Sequence, residues 1–379
     1  MTTSPHLSRA RSRRFLGGIC AAALLLAGCG TDAEAPAAGP DPADFRGPVA
    51  GALPAGALTG TTMTFAGWGG GYQDGQLEAV VDPFAAATGA TILSDGPAER
   101  AKLRAQVESG NVTWDVVETS TTRAAQSCGT LFQPLDLSLI DTTALSADLP
   151  VGECSVPVMV YGYTFYYDAE VYGDDPPTSA ADFFDLDRFP GRRGIEGRAN
   201  PQPGVYEFAL MADGVAPEDL YPLDVERALD MYAGLGRTSF WNTGAESTQL
   251  MQGGEVTMML GWSGRVPEAN ESGGDWRPVW AGGILDSDVL AVPVGSTNVV
   301  AAHALINAFI GAEQQTRHAE LTAYPPVNPD AEPELDEFAR PFDVSDPETL
   351  SQLVAPDHEY WGENVDELDE AWYRFVAQS

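Results

Sequence analysis

Basic residues are scarce in this chain. Twenty Lys and Arg stand against 55 Asp and Glu over 379 residues, a formal net charge of −35. No segment carries the cationic stripe that nucleic acid requires, so nucleic acid is excluded as a partner. The acidic surplus reads as a solvated surface and names no ligand by itself. Cysteine and histidine are rare, four of each. There is no Gly-x-Ser-x-Gly elbow and no His-Glu-x-x-His. The glycine-rich stretch FAGWGGGYQDG, Phe65 to Gly75, has Tyr72 where a dinucleotide fingerprint needs its third glycine. It also lacks the Lys-Ser or Lys-Thr that a P-loop needs. These absences argue against an enzyme, and no cofactor is expected.

The N-terminus carries an export signal. Arg9, Arg11, Arg13 and Arg14 precede a short apolar run, Phe15 to Ala27, too short to span a bilayer. Leu26-Ala27-Gly28-Cys29 then reads as a lipobox. Residues 1–28 are expected to be a lipoprotein signal peptide and Cys29 the lipidated new N-terminus. The mature chain is thus expected outside the cytoplasmic membrane and anchored to it. Ser12-Arg13-Arg14-Phe15-Leu16 resembles a twin-arginine signal, and both export routes stay open. Residues 29–60, rich in Ala, Pro, Gly and Asp, read as a disordered tether. Cys20 leaves with the signal. Cys128 and Cys154 remain in an oxidising compartment, where a disulfide is more economical than a zinc site. No histidine stands at ligand spacing to them, and His303 and His318 read as surface positions on a helix.

From Thr61 onward the chain alternates between strands and helices. Thr62 to Ala66 reads as a buried strand, and Gln76 to Thr88 as a helix bent by Pro83. Trp114 to Glu118 reads as another strand. The alternation predicts an α/β lobe with a largely parallel sheet, whose ligands sit at the carboxyl ends of strands. The Trp68 loop falls at such an end. A second series runs from about Val156, with Val256 to Trp262 a strand, Val299 to Thr322 one long helix, and Val365 to Val376 a tail helix. Trp68, Tyr72, Trp241, Trp262 and Tyr324 fall at strand ends or in loops. Together they suggest an aromatic box for a cationic amine, with Asp288, beside Asp286, as its carboxylate.

Further motifs make the likeness specific. They are WDVVETS at Trp114 to Ser120, LFQPLD at Leu131 to Asp136, FWNTGAESTQLMQGGEVTMMLGWSG at Phe240 to Gly264, GGILDSDVLAVPVGSTN at Gly282 to Asn298, and TAYPPVN at Thr322 to Asn328. In this order the chain resembles the solute-binding proteins of polyamine-type ABC transporters, the spermidine/putrescine-binding family.

The resemblance implies a two-lobe α/β fold of the type II periplasmic-binding-protein class, with a hinge and an interlobe cleft. The first lobe is expected over 61–160 and 285–325, the second over 161–284 and 326–379. Trp262 matches a tryptophan that stacks on the polyamine, and Asp288 a carboxylate that takes an ammonium. Tyr72, Ser120 and Tyr324 match cleft positions. Where the family has a second tryptophan, this chain has Asp286. The acids that hold the far amine there fall near Pro201 and Gly204 here, with Glu207 and Glu246 nearby but unaligned. One end of a diamine site is retained and the other rebuilt. The implied partners are ABC permease subunits and a small cationic solute: a polyamine, a monoamine, an amino acid derivative or a thiamine-like cation. A ligand-sensing subunit is the alternative to an importer component.

Overall fold

The computed structural model describes residues 40–379. The expected signal segment, Cys29 and the start of the tether lie outside the described residues. From residue 40 the tether expectation fails. Pro42–Phe45 form a 3-10 turn with Phe45 buried, and Leu58 is buried too. The Gly51 N–H donates to the Asn307 carbonyl at 2.9 Å. These small residues dock closely on the domain and do not hang free.

Nine strands among the described residues form one sheet. They are β1 (Thr62–Ala66), β2 (Thr91–Asp95), β3 (Val116–Ser120), β4 (Ser155–Asp168), β5 (Arg193–Glu196), β6 (Ser239–Trp241), β7 (Met258–Trp262), β8 (Trp276–Ala291) and β9 (Leu353–Val354). Their order is β2-β1-β3-β8-β4-β7-β5-β6, with β9 on β8. The sheet is mixed where a largely parallel one is expected. The reason is β4 and β8, two long strands paired antiparallel along their length and running through both halves. The far end of β8 pairs with β3, and the far end of β4 pairs with β7. On one side lies a β2-β1-β3 lobe, on the other a β7-β5-β6 lobe. The expected lobe boundaries at 160/161 and 284/285 fall inside these two crossing strands. Register shifts at Pro157/Met159 and Tyr163/Phe165 interrupt the ladder there, and such bulges bend strands.

The helices that matter are α1 (Gly70–Gln76), α2 (Asp82–Thr88), α3 (Arg100–Ser109), α4 (Thr121–Gln126), α5 (Val205–Ala212), α6 (Val225–Gly234), α7 (Gly244–Gln252), α8 (Val299–Phe309), α9 (Ala312–Thr322) and α10 (His358–Gln378). The first helix begins six residues earlier than expected. Gly69 and Gly70 have φ of 77° and 67°, which turns the chain straight from β1 into α1. A π-helical turn, Leu77–Val81, then absorbs Pro83, whose missing N–H would leave a gap in the α-helical ladder. The expected helix over 299–322 is two helices broken at Gly311. A Cβ there would lie 2.3 Å from the Gly51 Cα, so the docked N-terminal segment requires glycine at the break.

The expected second-lobe segment 326–379 starts on the first lobe. The Ser146 N–H donates to the Val327 carbonyl, and the Asn328 side chain donates to the Ile310 carbonyl. The chain then crosses over. Helix α10 starts seven residues before the expected Val365 because Asp357 caps it, accepting from the Tyr360 N–H at 2.9 Å. Its Trp361, Val365, Leu368 and Trp372 are buried. Trp372 packs edge-on against Tyr206 and Tyr232 of the second lobe. Asp369 and His358 reach back to Arg123 (2.5 Å) and Thr122 (2.9 Å) of α4 in the first lobe.

Cys128 and Cys154 are bonded, with Cα atoms 5.5 Å apart, beneath α3 in a small apolar cluster with Leu103, Trp114 and Phe132. The bond closes a loop of 26 residues. Replacing both cysteines by serine is expected to cost about 3 kcal/mol through the unfolded chain. Denaturant unfolding of the double variant against the parent measures it.

Candidate functional site

A cavity of about 600 Å³ lies between the lobes and is lined from both. Of the sequence-predicted residues, Trp68, Tyr72, Ser120, Trp262, Asp288 and Tyr324 line it. Five chain segments converge here: β1, β3 and β7 end at the cleft, β8 runs past it, and the turn after α9 brings Tyr324. Trp68 donates from Nε1 to the Asp288 Oδ2 at 2.8 Å. Ser120 caps α4, its hydroxyl accepting from the Arg123 N–H. Tyr72, in the first turn of α1, packs edge-on against Tyr324, and its hydroxyl donates to Glu118.

Three predicted residues do not line this cavity. Trp241 is fully buried behind Trp262, ring centroids 4.7 Å apart, with Nε1 donating to the Leu260 carbonyl. Glu246 sits on the exposed start of α7, where its carboxylate accepts from the Asn242 N–H at 2.6 Å. Asp286 is committed elsewhere, accepting from the Tyr161 hydroxyl and facing His358 Nε2 at 3.3 Å. Residues on a strand alternate faces, but Asp286 and Asp288 share one, and Tyr161 fills the space before the first. His303 and His318 are buried, contrary to the surface expectation. His303 Nε2 accepts from the Asp136 N–H, while His318 backs the Tyr72 ring and is pushed down to about 4 by burial.

Arginines were missed. Arg198 follows β5, and its guanidinium lies 4.9 Å from the Trp262 ring centroid and 5.9 Å from that of Trp68. The place of a solute's cation in an aromatic box is thus filled by the chain's own side chain. Its Nε donates to Glu196 at 2.5 Å, and its Nη2 reaches Gln202 at 3.3 Å. Gln202 also accepts from Trp262 Nε1 at 2.6 Å. Arg265, in the turn after β7, crosses the cleft to lie 5.3 Å over Tyr72, and its Nε has no partner. The available signal was position. In a chain short of basic residues, both arginines lie two or three residues past strand ends that face a cleft.

Opposite these cations lie buried carboxylates. Glu118 on β3 is fully buried and accepts from Tyr72 and from Gln76 Nε2. Burial pushes it up to about 7 against the pull of those hydrogen bonds and of Arg265. Burial, with Glu118 and Asp286 nearby, likewise raises Asp288, while Trp68 and Arg198 hold it down. The folded protein keeps the Glu118 proton to about 7, whereas an unfolded glutamate loses it near 4.5. Between those values the native state binds the extra proton, so this group's contribution to stability falls as pH rises and is level above about 7. Glu118→Gln does not titrate. Its melting temperature relative to the parent is expected to climb from pH 4.5 to 7, and scanning calorimetry across that window measures the difference.

The comparisons with known proteins point the same way. The model of the bacterial extracellular solute-binding protein family matches residues 79–344. A gamma-aminobutyric acid-binding protein of Pseudomonas aeruginosa is 29% identical over 325 residues, 84% of this chain and 91% of that protein. The solved Atu4243-GABA receptor is 35% identical with a TM-score of 0.75, covering 84% of this chain and 98% of that one. The periplasmic binding protein AgtB of A. tumefaciens R10, solved with agropinic acid, is 30% identical with a TM-score of 0.76, covering 84% and 100%. The two lobes and their crossing strands are therefore the type II periplasmic-binding-protein fold.

Proposed function

Since this chain belongs to the bacterial extracellular solute-binding protein family, we propose that it is the extracytoplasmic receptor of an ABC importer for a zwitterionic amino acid or amino acid derivative. One observation carries the reading. The cleft sets a guanidinium, Arg198, between two tryptophans and faces it with a buried carboxylate, Asp288. Arg198, with the unpartnered Arg265 Nε, supplies donors for a solute carboxylate. Asp288, crowded by Glu118 and Asp286, gains from an ammonium brought beside it. A polyamine offers cations at both ends and meets arginines at one of them. The resemblance to polyamine receptors thus narrows to the amine half of the site. The relatives named for gamma-aminobutyric acid agree with a ligand that carries both charges. Lipid anchoring through Cys29 remains part of this proposal and rests on the lipobox alone.

Calorimetric titration with 4-aminobutanoate, butanoate and putrescine tests it. Both charges are required, so 4-aminobutanoate is expected to bind and the other two to bind at least about tenfold more weakly. Putrescine binding as tightly as 4-aminobutanoate would restore the polyamine reading.

A further inference from the structure

Besides the head-group side chains just described, the cavity is lined by α3 and α4, and donors there have nothing to bond. Arg123 lies on α4, and Ser127, four residues on, is the residue that ends it. Both line the cavity and both are over nine-tenths buried. Arg123 Nη2 is committed to Asp369 at 2.5 Å and to the Pro201 carbonyl at 3.2 Å, but its Nη1 has no partner. The Ser127 hydroxyl has none either. Arg100, on the first turn of α3, lines the same cavity, and its buried Nε is likewise unpartnered. Burial and the neighbouring charges of Arg123 and Arg104 lower Arg100 from its ordinary value, although Asp369 and Asp366 lie near. Buried polar groups in folded proteins are normally paired, so three orphan donors around one cavity mark a place for an acceptor. The disulfide at Cys128 fixes the chain next to Ser127, so these groups sit on a rigid support.

The length of α4 sets the separation of Ser120 and Ser127. Ser120 lies at the head-group end, paired in register with Asp288, and Ser127 lies seven residues further along. At 1.5 Å per helical residue that is roughly 10 Å. A four-carbon amino acid spans only about 5 Å between its charged ends. We propose that Arg100, Arg123 and Ser127 form a second, anion-binding subsite, and that the solute is two-armed: a zwitterionic head joined by a linker to an acidic tail. This rests on the zwitterion reading of the head-group site and goes further by assigning the tail.

Two probes with the same head and chain length separate the tail from the head. 2-Aminooctanedioate ends in a carboxylate and 2-aminooctanoate ends in a methyl group. By calorimetry on the full chain, the diacid is expected to bind at least about tenfold tighter. Ser127→Ala removes no protein hydrogen bond, so it folds normally, and in it and in Arg100→Gln the ratio of the two affinities should fall towards one. Equal affinity of the parent protein for both probes, or no binding of the diacid, overturns the subsite. A diacid preference that is lost in Ser127→Ala, with the absolute affinity for the diacid unchanged in Asp288→Asn, keeps the subsite and sinks the head-group reading. A site for a free inorganic anion would instead show a melting temperature raised by phosphate alone with the two probes bound equally, and that result overturns the two-armed solute.

Discussion

Asp288→Asn is expected to weaken 4-aminobutanoate binding by about 10- to 100-fold, the worth of a charge-assisted hydrogen bond. The substitution keeps the side chain's shape and an oxygen to accept from Trp68 Nε1, so the wall of the cleft should survive. What it removes is the charge that an ammonium would answer. The same change is expected to leave the ligand-free protein as stable as the parent, or more so. Asp288 is buried beside Glu118 and Asp286, and deleting one of three crowded carboxylates relieves desolvation and repulsion together. Weaker binding with an undiminished melting temperature is the signature of a site built at the expense of stability. Calorimetric titration beside a melting curve reads both. Unchanged affinity in a folded variant would remove Asp288 from the site.

Trp372→Ala is expected to destabilise the protein by about 3–5 kcal/mol, as for other large-to-small core changes at aromatic positions. The ring is fully buried at the turn of α10 that faces α5 and α6, with centroids 5.9 Å from Tyr206 and 5.2 Å from Tyr232. Trp372→Phe is the control. The indole Nε1 has no acceptor, so phenylalanine loses volume but no hydrogen bond, and should cost well under half as much. Urea unfolding of the two variants measures both, with midpoint shifts at constant slope as the expected form. A phenylalanine variant as damaged as the alanine one would mean that the N–H has a partner after all.

Much of the fold was legible because it depends on local pattern. The strand Thr62–Ala66 falls where its apolar run puts it, and the strand expected over Val256 to Trp262 runs over Met258–Trp262. The antiparallel crossing of β4 and β8 was not legible, since every residue of β4 but the last is buried and a continuous apolar run carries no sign of its partner's direction. Nor was the break at Gly311, which depends on a segment 260 residues earlier in the chain. At the site, Trp68, Trp262 and Asp288 were found through strand ends and aromatic content. Arg198 and Arg265 were missed because a search framed on a cationic solute looks for acids and rings. Trp241 and Asp286 have the right chemistry, but Trp241 packs behind Trp262 and Asp286 is taken by Tyr161 and His358, and both are matters of packing rather than of spacing.

The β3–β8 ladder joins residues far apart in order of synthesis. Val117 pairs with Ala291, 174 positions later. A ribosome adding about 5–20 residues per second takes roughly 9–35 seconds to cover that interval. Throughout it the first lobe has its β1–β3 edge made and its central neighbour missing. Neither lobe is a contiguous stretch of chain, so the first cannot close before most of the second has been made. The sheet of the first lobe is therefore completed only after β8 has emerged, late in synthesis.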